Sequence, residues 1–138
     1  MSSMSSVSQS HMTPDVEAAV DEIKQAFPNH QVDVAAEAQG GAYVIVHDVA
    51  IGERFAPATT WIGFLITFQY PDADVYPFFV RPDLQRADGS GFPSGLSGPT
   101  VWNAMSAIQV SRRSNRWTPG VDTAATKLAK VLSWLRSL

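Results

Sequence analysis

The nine residues Thr60-Trp61-Ile62-Gly63-Phe64-Leu65-Ile66-Thr67-Phe68 carry apolar side chains at both odd and even positions. Successive side chains of a strand point to opposite faces, so such a run suits a strand covered on both sides rather than one at a wet edge. It is the expected centre of a sheet. Upstream, Ala42 to Val49 reads as a second strand, and Val32, Val34 and Ala36 alternate with polar neighbours in a third. The Gly40-Gly41 pair between those two supplies a hairpin turn. Downstream, prolines and aspartates interrupt the chain from Tyr70 to Pro77, and Phe78 to Val80 forms a short strand that stops at Arg81-Pro82. Four strands in succession predict an antiparallel meander.

Helical spacing brackets this meander. Thr13-Pro14-Asp15 combines a capping threonine, a proline in the first helical position and an early acid, and Val16, Ala19, Val20, Ile23, Ala26 and Phe27 then recur along one face. Pro28 and Asn29 end that helix. After Trp117-Thr118-Pro119-Gly120, a second helix is predicted from about Asp122 to the end, with Ala125, Leu128, Val131, Leu132 and Leu135 on its apolar side. Between Asp83 and Ser106 the chain carries most of its glycines, several prolines and no sustained period, which predicts a long irregular segment. Phe92, Leu96 and Trp102 within it either pin it to the core, the favoured reading, or form an exposed contact for another protein.

The 138 residues are 45% hydrophobic, enough for one core, and a chain of this size hides roughly two thirds of the surface its unfolded form exposes. Residues 1–12, MSSMSSVSQSHM, are Ser-rich and nearly uncharged and suit a disordered tail whose Ser-His-Met end resembles a cloning scar, leaving a domain over 13–138. No stretch approaches the ~20 consecutive apolar residues of a membrane span, and no secretory signal opens the chain. A cytoplasmic, membrane-free protein is the expectation. A net charge of −3 gives no general attraction to nucleic acid. There is no cysteine, which removes thiolate nucleophiles, disulfides and cysteine metal sites.

Other constellations point to little chemistry. His11, His30 and His47 lack the paired spacing of a metal site, and His47-Asp48 are adjacent on a strand and so face opposite ways. Asp72, Asp74, Asp83 and Asp88 lack the spacing and terminal glutamate of a calcium loop. Gly89 to Gly98 has no phosphate-loop signature. Neither a metal nor a cofactor is expected. Arg112, Arg113 and Arg116, with Asn115 and Trp117 beside them, form the one basic cluster; it either grips a phosphate or a partner's carboxylates, or it is a solvated loop.

The order of these elements, together with several local strings, resembles the ubiquitin-conjugating enzyme family. Phe68-Gln69-Tyr70-Pro71 followed by Val75-Tyr76-Pro77-Phe78 resembles that family's aromatic-proline segment with two residues inserted. Arg81-Pro82-Asp83-Leu84 stands where the family has His-Pro-Asn, and Trp117-Thr118-Pro119 resembles its Trp-Ser-Pro. The resemblance covers roughly 13–138 and is strongest to the divergent bacterial branches, which implies a bacterial source. It implies an α+β fold: N-terminal helix, four-stranded meander, long irregular segment, C-terminal helix. It also implies a cysteine that accepts a ubiquitin-like tail as a thioester, and an asparagine that steadies the oxyanion.

Counting back from Trp117, the resemblance places the nucleophile at Gln109, in Ile108-Gln109-Val110-Ser111, and the asparagine at Asp83. Glutamine has no nucleophilic atom for this reaction, and an ionised aspartate cannot donate a hydrogen bond to an oxyanion. Deliberate removal of a cysteine would normally leave alanine or serine. Ser106 and Ser111 lie nearby, but a serine hydroxyl is a weak nucleophile without a base. The expectation is an inactive variant: a non-catalytic adaptor that binds a ubiquitin-like protein, an activating enzyme or a conjugating partner. The alternatives are an active conjugating enzyme with an altered or atypical nucleophile, and a general protein-interaction module on the same fold.

Overall fold

A computed structural model describes residues 12–138, so the stretch expected as a tail falls outside the described residues except for Met12, which packs against the core. The first helix, α1, spans Pro14–Ala26, and the Thr13 side chain accepts from the Val16 backbone N–H at 3.1 Å. Val16, Ala19, Val20 and Ile23 are buried, as their spacing requires. The last helix, α2, spans Ala124–Ser137, and Thr123 and Thr126 satisfy each other's backbone N–H groups at its start. Its buried face is Ala124, Lys127, Leu128, Val131, Leu132 and Leu135.

Between the helices run eight strands: β1 (Val32–Ala36), β2 (Ala42–Ala50), β3 (Phe55–Ala56), β4 (Thr59–Ile66), β5 (Phe78–Val80), β6 (Gln85–Arg86), β7 (Leu96–Trp102) and β8 (Met105–Val110). Six form one antiparallel sheet in the order β1-β2-β4-β5-β8-β7, and β3 pairs with β6 in a separate two-stranded ribbon. The four expected strands are β1, β2, β4 and β5, neighbours in the expected order. The long segment departs from its irregular expectation. Residues 83–106 contain β6, all of β7 and the start of β8, and β7 and β8 close into a hairpin whose turn residues, Asn103 and Ala104, both have positive φ. Alanine is not a residue that advertises such a turn. A bulge between Ser97 and Thr100, with Gly98 and Pro99 inside the strand, breaks the period-two signal of β7.

The register sorts the sheet into two faces. Val34, Val44, Phe64, Phe78, Val110 and Leu96 are successive partners across all six strands, and all of them pack in or against the core that both helices complete. The adjacent row, Asp33, Ile45, Gly63, Phe79, Gln109 and Ser97, runs across the opposite face. Among the described residues that face carries no helix. Trp102 folds over it instead, stacked on Phe79 with centroids 5.0 Å apart and lying parallel to Trp61 at 6.4 Å, with Tyr43 edge-on at 6.0 Å. A Cβ on Gly63 would come within 2.5 Å of the Trp102 ring, so the absence of a side chain there makes room for the indole.

The proline-broken crossing from β4 to β5 and the loop before α2 are clasped together. The buried Tyr70 hydroxyl accepts from the Ala124 N–H at 3.1 Å, satisfying the first turn of α2. The Trp117 indole N–H donates to the Pro71 carbonyl at 2.7 Å while its ring packs tilted on Tyr70. Burial pushes the Tyr70 phenol above its ordinary range. The Tyr-Pro and Trp-Thr-Pro strings, far apart in sequence, are therefore two halves of one structural joint.

Candidate functional site

Gln109 lies in the interior of the sheet. Its strand, β8, is bonded on both sides, with Phe79 opposite it on β5 and Ser97 on β7. Its half-buried side chain stands on the helix-free face and donates from Nε2 to the Ser111 Oγ at 3.1 Å. A carboxamide held this way offers a donor and an acceptor for recognition, and no electron pair suited to acyl transfer. Ser106 is exposed on the same strand. Among the described residues, no histidine, lysine or carboxylate hydrogen-bonds either Ser106 or Ser111.

Asp83 lies elsewhere, on the exposed turn after β5 and four residues beyond the partner of Gln109. Arg81 grips it with two bonds, Nε to Oδ1 at 2.6 Å and Nη2 to Oδ2 at 3.0 Å, and these hold its carboxyl below the usual range. It therefore stays ionised and acceptor-only. A shallow hollow next to it is lined by His47, Thr60, Trp61 and Arg81. His47 Nε2 lies 2.8 Å from Asp33 Oδ2, and His47's carbonyl meets the His30 ring nitrogen at 2.8 Å. Asp48 sits at a bulge with φ 56°, outside this pair. Hydrogen bonds from Gln31 and His47 depress the Asp33 carboxyl. Among the described residues no group of three His, Asp or Glu side chains could hold a metal ion.

The arginines are brought together. Arg112, Arg113 and Arg116 line a hollow of about 290 Å³ between the β8–α2 loop and α2, with Lys127 and Lys130 contributed by the helix. Arg112 lies over the Trp134 ring at 4.7 Å and Arg113 over the Tyr76 ring at 4.5 Å. Trp117, expected beside them as a contact residue, does not line this hollow; its ring and N–H are committed to Tyr70 and Pro71. At the base, buried Lys127 donates to both oxygens of Asp74 at 2.9 and 3.0 Å and to Ser114 Oγ at 2.8 Å. Ser114 in turn donates to Asp74 through its backbone N–H at 2.8 Å and its hydroxyl at 3.0 Å. Burial pushes the Asp74 carboxyl up, but the Lys127 ammonium and the Ser114 bonds outweigh it, and the group ends below the ordinary carboxylate range.

Helix, meander, Tyr-Pro crossing and tryptophan joint are the parts that a conjugating-enzyme fold assembles. The family model for prokaryotic E2 family E matches residues 18–137. The chain belongs to that family. No curated protein and no solved structure gives a match. Membership in prokaryotic E2 family E relates the chain to ubiquitin-like conjugation and to protein partners in it. Among the described residues no helix is long and apolar enough to cross a membrane.

Two features of this family E chain escape sequence reading. The aromatic patch of Trp61, Phe79 and Trp102 depends on a hairpin hidden by Gly98, Pro99 and a bulge, although the apolar parity of Thr60 to Phe68 already signalled a covered second face. The Asp74–Lys127 pair joins residues 53 positions apart, one a turn-like aspartate and the other at a helical position whose spacing to Leu128 and Val131 hinted at burial.

Proposed function

We propose that this family E protein is a non-catalytic binding member of a ubiquitin-like conjugation pathway, acting as an adaptor that engages a ubiquitin-like protein, its activating enzyme or a conjugating partner. One observation carries the reading. The chain contains no thiol, and Gln109, where the sequence resemblance puts the nucleophile, lies in a strand paired on both sides. Asp83, matched to the oxyanion asparagine, is an ionised acceptor locked to Arg81. A reaction that needs a thiolate has none here, and Asp83 cannot donate to an oxyanion. Serine chemistry gains no support, since among the described residues no base hydrogen-bonds Ser106 or Ser111.

The test combines capture with covalent trapping. The purified chain is incubated with the activating enzyme and ubiquitin-like protein of its source organism, with ATP, and both complexes and intact masses are recorded. The expected outcome is a complex without a mass increase, for the chain as it stands and for Gln109→Cys. An ATP-dependent adduct on the unaltered chain would overturn the reading in favour of an atypical conjugating enzyme. Absence of any complex would leave a general interaction module on this fold.

A further inference from the structure

The ten lysines and arginines of this chain are unevenly placed: five of them line the one hollow beside α2, although the protein as a whole carries a net charge of −3. Against those five stand two carboxylates, Asp122 in the wall and Asp74 behind Lys127, which leaves three positive charges in excess. Asp122 is already engaged, accepting from the Thr118 N–H at 2.7 Å and facing Lys130 at 3.6 Å. Arg112, Arg113 and Arg116 have no carboxylate within ion-pair distance among the described residues. Two of these guanidinium groups are nevertheless held in place, since Arg112 rests on Trp134 and Arg113 on Tyr76. A guanidinium lying on an aromatic face keeps its charge and its planar set of N–H donors available at its edge.

Like charges gathered in a concave site repel one another, and an anion among them relieves that repulsion. We infer that this hollow is a binding site for a phosphate-bearing ligand, a phosphate ester or diphosphate held by Arg112, Arg113 and Arg116 with Lys130 at the rim. A single carboxylate would offset one of the three excess charges, whereas a phosphate carries up to two and a diphosphate more, with oxygens on several sides to meet converging forks. The volume, about 290 Å³, admits such a compact group rather than a long polyanion. Lys127 is the floor: bonded to Asp74 and Ser114, it fixes the loop that carries the arginines and is not free to rotate toward the ligand. This inference does not rest on the conjugation reading.

A phosphorylated small molecule and a phosphorylated side chain of a partner share this chemistry, and two titrations of the full chain separate them. Inorganic pyrophosphate is added in one, and in the other a phosphoserine peptide alongside its unphosphorylated form, each up to about 5 mM, a range that captures even millimolar affinity. Amide NMR shifts of Ser114 and Asn115 and calorimetry serve as readouts. Saturable binding is expected, weakening as salt rises. Arg116→Ala, at an exposed side chain, should lower affinity by about fivefold, and Arg112→Lys, which keeps the charge and loses the fork, by about threefold. Tighter binding of pyrophosphate identifies a small-molecule ligand, and tighter binding of the phosphopeptide a modified partner; either supports the site. No saturable binding of either probe overturns it. So does binding that both substitutions leave unchanged, which would place the anion elsewhere on the surface.

Discussion

The two faces of the six-stranded sheet are built on different terms. On one, Val44, Phe64, Phe78 and Val110 are fully buried beneath both helices. On the other, one row over, Ile45 and Gln109 are only half-buried, and the cover comes from a single hairpin whose Trp102 lies on Phe79 and Trp61. The first face carries the cooperative core, where every methylene counts. The second tolerates a change of side chain without a change of fold. Gln109 is on the second face, so a change of side chain there leaves the helix-covered core of the scaffold in place.

Emptying one site on each face tests this difference most directly. Phe64→Ala removes a ring packed 4.9 Å from Phe78 in the covered row and should cost about 4 kcal/mol in denaturant unfolding, as large-to-small changes of buried aromatics do. Phe79→Ala, on the hairpin-covered row, should cost about 2 kcal/mol, because Trp102 can settle into part of the space. Equal losses would mean that the hairpin is as integral to the core as the helices.

Between those two losses falls the joint that anchors α2. Lys127→Met leaves Asp74 with the Ser114 bonds alone and should destabilise the chain by about 3 kcal/mol. Because the Asp74 carboxyl is depressed in the folded chain, its contribution is present above the ordinary carboxylate range and is lost as pH falls through the depressed value. Unfolding measured from neutral to acidic pH should show stability falling below about pH 4 in the parent and falling less steeply in Asp74→Asn. A parallel decline in the two would remove Asp74 as a source of the acid sensitivity.

Gly63→Ala probes the hairpin-covered face from the sheet side. The added methyl would meet the Trp102 ring at 2.5 and 2.7 Å, so the indole must move. The cost should be about 1–2 kcal/mol, accompanied by a red-shifted tryptophan emission as Trp102 becomes wetter. Unchanged emission would show that the sheet rather than the hairpin yields.

How much of this was legible follows the same division. Thr60 to Phe68, Ala42 to Val49 and the two helix patterns are periodic, and periodic segments declare themselves, so the covered face could be read directly. Residues 83–106 hid a hairpin because Gly98, Pro99 and a bulge erase alternation in β7 and because its turn is made by Asn103-Ala104, which carries no glycine. The Tyr-Pro and Trp-Thr-Pro strings were visible as a resemblance, but their role as one joint appears only when Tyr70 caps α2 and Trp117 bonds Pro71. The arginine cluster was plain in the chain, whereas Lys127 and Lys130 reach it from a helix more than ten residues on, a juxtaposition no local pattern encodes.

The smallest expected effect bears most on function. Gln109→Ala deletes a half-buried side chain and one hydrogen bond, to Ser111, and leaves the backbone pairs with Phe79 and Ser97 intact. A hydrogen bond of this kind contributes about 1 kcal/mol at most once water competes for both partners, so the unfolding midpoint should barely shift. Partner capture should respond differently. If the helix-free face is where the protein meets its partner, an amide in the middle of that face is a recognition element, and its removal should weaken the complex severalfold at nearly constant stability. A variant that loses stability and binding together would make Gln109 a structural residue of the sheet. One that loses neither would move the partner surface away from Gln109 altogether.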